Sequence, residues 1–270
     1  MKSIHGFIVT TVILSILLLQ SCANYKLNYG DETKDWDQKT PPTNLAIRHS
    51  LYMIGDAGNA ALGETPPHLK YIKEELDRAS ENSSIVFLGD NIYPSGMPRK
   101  SDDRRALAEH KLQVQIDLLA DYKGEIMFIP GNHDWAEFQS KGVHRQEKFI
   151  EKSLNRLKNG TDDKDDKAWK DYFFPSGGCG DPHLIEVNEQ LVILLIDSEW
   201  WIQNWDTDQS INQGCRIKTR AGFYREFENL VRKYKNRNVV IAMHHPLFSN
   251  GQHGGKYLSL IHISEPTRPY

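Results

Sequence analysis

The chain has 270 residues, a formal net charge of −3 and 26% charged residues of both signs. A chain of that length buries one sizeable core, or at most two small ones. The near balance of charge argues against a nucleic-acid surface held by bulk electrostatics and against a polybasic membrane patch, so no nucleic-acid polymer is expected as a partner.

At the N-terminus, Lys2 gives a short positive start, and Phe7–Leu19 is an apolar run broken only by Thr10, Thr11 and Ser15. A membrane span needs about 20 apolar residues, so residues 1–21 read as an export signal. Leu19-Gln20-Ser21-Cys22 resembles a bacterial lipobox, with Gln20 departing from the commonest pattern. The resemblance implies cleavage before Cys22, lipid on its thiol and a membrane-anchored place in the bacterial cell envelope. An ordinary cleaved signal on a secreted protein is the alternative. Residues 22–47 then read as the tether between lipid and domain.

The run Ser50–Ile54 has strand length and leads into Gly55-Asp56-Ala57-Gly58. Pro66–Ala79 follows as a helix with Leu69, Ile72, Leu76 and Ala79 on one face. Ile85–Leu88 is a second strand, leading into Gly89-Asp90-Asn91-Ile92-Tyr93, and Arg104–Leu119 is a helix carrying Leu107, His110, Leu112, Ile116 and Leu119. A third strand, Glu125–Ile129, precedes Gly131-Asn132-His133-Asp134-Trp135, and Val143–Leu157 is the next helix. Asn159–Asp171 is a charged, solvated loop opened by Asn159-Gly160. Val192–Ile196 is a further strand, and Thr219–Tyr234 is a helix with Phe223, Phe227, Leu230 and Val231 on one side. Val239–Met243 is a strand that runs into His244-His245-Pro246. Near-continuous apolar strands alternating with helices predict a layered α/β sandwich.

With Cys22 taken for lipid, Cys179 and Cys215 remain, an even number suited to an oxidising compartment. A disulfide between them would staple Gly177–Gly214; two unpaired thiols are the alternative. Neither has the spacing of a zinc or redox site.

Asp56, Asp90, Asn132 with His133, and His244 with His245 each stand just past a strand. Alone, each reads as an ordinary turn or helix cap. Together they are oxygen and imidazole donors gathered at four strand ends. Two cations about 3.5–4 Å apart need such donors to neutralise a phosphoester and make hydroxide available at neutral pH. In the first three cases a glycine precedes the ligand and is expected to let the backbone turn tightly there.

The ordered series GDAG, GDNIY, GNHDW and MHHP resembles the calcineurin-like metallophosphoesterase superfamily over residues 48–257. Tyr93, three residues after Asp90, points to its purple-acid-phosphatase-like branch. The resemblance implies an α/β (α+β) sandwich of two mixed sheets flanked by helices, around two metal ions. By motif position Asp56 binds the first metal, Asp90 bridges both, Tyr93 adds a phenolate to the first, and Asn132 and His244 bind the second. His133 stands beside the phosphate, stabilising charge or protonating the leaving alkoxide. His253 falls at a further substrate-facing position. A phenolate ligand implies ferric iron in the first position, with iron, zinc or manganese in the second.

Other readings stay open beside these. Tyr93 can pack under its loop, Asp134 can orient His133 or cap the segment after it, and His245 can line the pocket or cap a loop. Trp200, Trp201 and Trp205 either stack a nucleobase or pack in the core. The implied activity is metal-dependent hydrolysis of small phosphate esters, by a phosphomonoesterase or a small-molecule phosphodiesterase. A non-catalytic surface lipoprotein that keeps the fold for binding is the alternative.

The family pattern closes with a Gly-His-X-His motif that gives one ligand to each metal, and nothing in the chain matches it. Residues 258–270 read as one frame of a transposon-based sequencing adapter, and the natural chain is expected to continue beyond Tyr257. His262 as a replacement ligand is the alternative, although its surroundings lack the turn residues of the other sites.

Overall fold

A computed structural model describes residues 40, 45–203 and 209–246 of the chain. The chain divides into two units, Met1–Ala46 and Ile47–Tyr270, and the described strands and helices lie in the second. The export signal, Cys22, Trp205, His253 and residues 258–270 fall outside the described residues.

The first sheet comprises β1 (Ser50–Ile54), β2 (Ser83–Phe87) and β3 (Glu125–Phe128), all parallel and in that order. Helices α1 (Pro67–Arg78) and α2 (Arg105–Asp117) make the crossovers, and α3 (Asn132–Trp135) and α4 (Gln139–Asn159) follow β3. In the second sheet β5 (Leu191–Leu195) lies between an antiparallel β4 (His183–Asn188) and a parallel β6 (Asn238–Ala242). Helices α5 (Ser198–Ile202) and α6 (Arg220–Lys233) link β5 to β6. Among the described residues, then, only the second sheet is mixed, in place of the two mixed sheets expected. Strand β4 has no counterpart in the sequence reading, because His183, Glu186 and Asn188 interrupt its apolar residues. It stands at the end of the second sheet's order, and most of its residues keep partial solvent contact.

Alternation along β2 sorts its side chains between two interiors. Ile85 and Phe87 are buried with Leu69 and Leu76 of α1 and Leu112 and Ile116 of α2, and Phe87 stacks on Phe128 at 4.1 Å. Val86 turns the other way and joins Met127, Ile193, Leu195 and Ala242 between the two sheets. The layers therefore run helix, sheet, sheet, helix. On α2, Leu107 is 36% exposed, while the polar Lys111 and Gln115 are buried. Their amine and amide are used by the neighbouring loop. Lys111 Nζ donates to the Tyr93 carbonyl at 2.6 Å, and Gln115 Nε2 donates to the Asn91 carbonyl at 2.9 Å.

Helix α4 overruns the expected Val143–Leu157 at both ends and stops at Gly160, whose φ of 68° makes a left-handed cap. Glu147 and Glu151 lie one turn apart on its buried face. Burial, and then the charges of Glu147 and Asp171, push the Glu151 carboxyl up to about 8. The folded chain therefore holds this proton more tightly than the unfolded chain. The resulting stability is fully present below the ordinary carboxylate range and is lost as pH rises through about 8. Urea unfolding on either side of that window should show a smaller decline for Glu151→Gln than for the wild type, and an unchanged decline would contradict this.

Cys179 and Cys215 are joined by a disulfide across a sequence separation of 36, with Cα atoms 5.5 Å apart. Closing a loop of that length restricts the unfolded chain by about 4 kcal/mol. The double variant Cys179→Ser, Cys215→Ser is expected to lose about 2–4 kcal/mol of unfolding free energy. An unchanged urea midpoint would show that the staple adds nothing.

Candidate metal centre

The strand ends build the centre. Asp56 follows β1, Asp90 follows β2, Asn132 and His133 follow β3, and His244 follows β6. All lie at carboxyl ends of parallel strands, where α/β sheets gather ligands. The expected role of the preceding glycines holds in part. Gly89 takes a φ of 91°, but Asp56 and Asp90 themselves adopt left-handed φ values of 58° and 55°. Such a conformation is costly for a residue with a Cβ and persists only where the surroundings fix it. The fixing is visible: Asp56 N–H donates to the Gly89 carbonyl at 3.0 Å, and Gly58 N–H donates to the Asp90 carbonyl at 2.9 Å. Gly131 serves close approach instead, since a Cβ there would strike the Asp90 carboxylate and backbone nitrogen.

Asp90 is 2% exposed, and its two oxygens face different neighbours. Oδ2 accepts the Tyr93 hydroxyl at 2.7 Å, and the same hydroxyl lies 2.6 Å from Asp56 Oδ1. Oδ1 accepts the His133 backbone N–H at 2.9 Å and stands 3.5 Å from His244 Nε2. His244 Nδ1 sits 2.9 Å from the Leu88 carbonyl, which can only accept, so the ring's N–H is there. Nε2, on the other edge of the ring, faces Asn132 Oδ1 at 2.9 Å.

His244 Nε2 thus stands beside two oxygens, Asn132 Oδ1 and Asp90 Oδ1, and one cation could take all three atoms as ligands. Donors at about 2.1 Å from one ion stand roughly 3.0–3.4 Å apart, close to the separations found here. On the other side, one phenolic proton serves two carboxylates. Burial, with the hydrogen bonds to Asp56 and Asp90, drives the Tyr93 hydroxyl far above the usual phenol range. Ligand atoms of Asp56, Asp90 and His244 all lie within 4.8 Å of one another. Hard oxygens with one imidazole suit magnesium, manganese, iron or zinc, so these residues fit a pair of cations.

His133 Nδ1 donates to the Pro94 carbonyl at 2.6 Å, and its ring tilts against Tyr93 at 4.3 Å. Nε2 is left turned to the centre, 4.0 Å from Asp90 Oδ2. Asp134 caps α3 and makes a further tie, accepting the backbone N–H groups of Gly131 at 2.8 Å, Ile92 at 3.1 Å and Asn91 at 3.2 Å. It thereby joins the loop after β2 to the loop after β3. Burial raises its carboxyl to about 7, against the pull of the Gly131 N–H. Trp200 and Trp201 are buried against Phe223, so they pack in the core and leave no face for a base.

Asp197, Ser198 and Glu199 also border this region, and no motif named them. Asp197 Oδ1 caps α5 by accepting Trp200 N–H at 2.9 Å, and its Oδ2 accepts Trp135 Nε1–H at 2.9 Å. Ser198 Oγ pairs with His245 Nδ1 at 2.8 Å, and Glu199 Oε2 lies 3.6 Å from His245 Nε2. Burial lowers His245 to about 4 and raises Glu199 to about 7. The available sequence signal was a polar Asp-Ser pair directly after the run Val192–Ile196, in the same position as the ligands of the other strands.

The family model described as calcineurin-like phosphoesterase matches residues 49–264. No curated protein matches the sequence. Among solved structures, GAP50, the anchor in the inner membrane complex of Plasmodium, is similar at 15% identity and a TM-score of 0.40. The match covers 79% of this chain, which spans 61% of that one.

Proposed function

The chain belongs to the calcineurin-like phosphoesterase family, and from that premise we propose that it hydrolyses small phosphate esters at a centre of two metal ions. The observation that supports this best is the divided Asp90 carboxylate, one oxygen toward Tyr93 and Asp56, the other toward His244 and Asn132. Asp56, Asp90 and Tyr93 would hold one ion; Asp90, Asn132 and His244 would hold the other. When bound, the two ions supply charge neutralisation for the phosphate and a water acidic enough to attack it at neutral pH.

The protein's own residues position and protonate. His133, anchored on Pro94, presents Nε2 to the ester, where it stabilises developing charge or protonates the leaving alkoxide. Asp134 keeps the loops bearing Asp90 and Asn132 in register. His253 would be a further substrate-facing group. Tyr93, as a phenolate, would favour ferric iron in the first position and make the protein absorb visible light, which is the purple-acid-phosphatase-like reading. Iron, zinc or manganese would fill the second position. Export and a lipid anchor at Cys22 complete the proposal and rest on residues 1–22 alone.

Protein treated with a chelator should stop releasing nitrophenol from an aryl phosphate and recover when manganese, zinc or iron is returned. Turnover indifferent to chelation would end the metallophosphoesterase reading. A full-length protein without turnover in any of these metals would favour a fold kept for binding.

A further inference from the structure

Asn132 and His244 reach the same side of Asp90 from two different loops, after β3 and after β6. Both loops rest on a third element, the corner that follows β5. We propose that this corner, Asp197-Ser198, is the positioning device for one metal half-site, that of Asn132 and His244, and that the Asp56–Tyr93 half is supported elsewhere. The inference rests on the two-metal reading above.

On the Asn132 side the link is Trp135, which closes the short helix that Asn132 opens. Its indole N–H is held by Asp197 Oδ2, while Asp197 Oδ1 is fixed as the cap of α5. The carboxylate therefore clamps α3 to the end of β5. With Trp135 fixed, and Ala136 N–H bonded to the Asn132 carbonyl at 2.9 Å, Asn132 has little freedom to turn away.

On the His244 side the link is His245. Ser198, 1% exposed, accepts the His245 backbone N–H at 3.1 Å and so fixes the peptide joining His244 to His245. Having accepted there, its hydroxyl is free to donate to His245 Nδ1 at 2.8 Å. The His245 ring then stands edge-on to His244, with centroids 4.9 Å apart and planes at 81°. Glu199 lies across the other edge of the His245 ring. Strand pairing carries the corner to this place, because Ile196 N–H donates to the Ala242 carbonyl at 3.0 Å.

The first half-site has other supports. The Tyr93 carbonyl is held by Lys111, the Asn91 carbonyl by Gln115, and the Asp56 N–H by Gly89. These come from α2 and from the loops of the first sheet.

Groups that orient a metal ligand typically contribute 10–100-fold to metal affinity. Manganese(II) titrated calorimetrically into the chelator-treated full chain should show two ions, and His244→Ala identifies which of them belongs to this half-site. Ser198→Ala should weaken that ion by about 10–100-fold and leave the other unchanged. Ser198→Thr, which keeps the hydroxyl, should restore it. His245→Phe, which keeps a ring but not Nδ1, should weaken the same ion by a smaller factor and serves if Ser198→Ala does not fold. Equal weakening of both ions, or of neither, overturns the inference while leaving the two-metal reading intact. A wild-type chain that takes up fewer than two ions overturns the two-metal reading, and the inference with it.

Discussion

Asp90→Asn should lower kcat/KM by about 1000-fold or more and should cost the protein at least one of its two metal ions. The carboxylate is buried, and each of its oxygens serves a different half of the centre. An amide keeps the shape but offers one oxygen and no charge, so at most one half retains a donor there. Two-metal stabilisation of a transferring phosphoryl group is worth several kcal/mol, and about 4 kcal/mol corresponds to the 1000-fold loss. Metal content and aryl phosphate turnover should be measured on the same preparation. A variant that keeps both ions or near-native turnover would remove Asp90 from the shared position.

His133→Gln should keep both ions yet lose about 100–1000-fold in kcat on alkyl phosphates. The loss on nitrophenyl phosphate should be much smaller. An alkoxide needs a proton as it departs, whereas nitrophenolate leaves without one, so the contrast reads out proton donation. The geometry suits this role: Nδ1 is committed to the Pro94 carbonyl, and Nε2 alone faces the centre. Equal losses on both esters would assign His133 to charge stabilisation instead. No loss on either would exclude it from the reaction.

Much of the centre was legible because each ligand stands just past an apolar run, with a glycine before three of them. That pattern placed Asp56, Asp90, Asn132, His133 and His244 at strand ends, and the structure brings these five together. Other parts were not legible, for physical reasons. Lys111 and Gln115 are polar residues on a helix whose apolar face was the visible signal, and only the folded loop reveals which carbonyls they hold. Leu107, which fits the apolar face by spacing, is on the outside. Strand β4 lacks a long apolar run because it stands at one end of its sheet's order. Ser198 and His245 lie 47 residues apart, so their pairing is invisible until β5 and β6 come side by side. The strain at Asp56 and Asp90 was also hidden, since sequence assigned the tight turns to the neighbouring glycines.

The most direct measurement is anomalous diffraction from crystals of the manganese-loaded protein. Two peaks about 3.5–4 Å apart are expected, flanking the Asp90 carboxylate, one beside Asp56 and Tyr93 and the other beside Asn132 and His244. A single peak, or metal bound away from Asp90, would contradict the account.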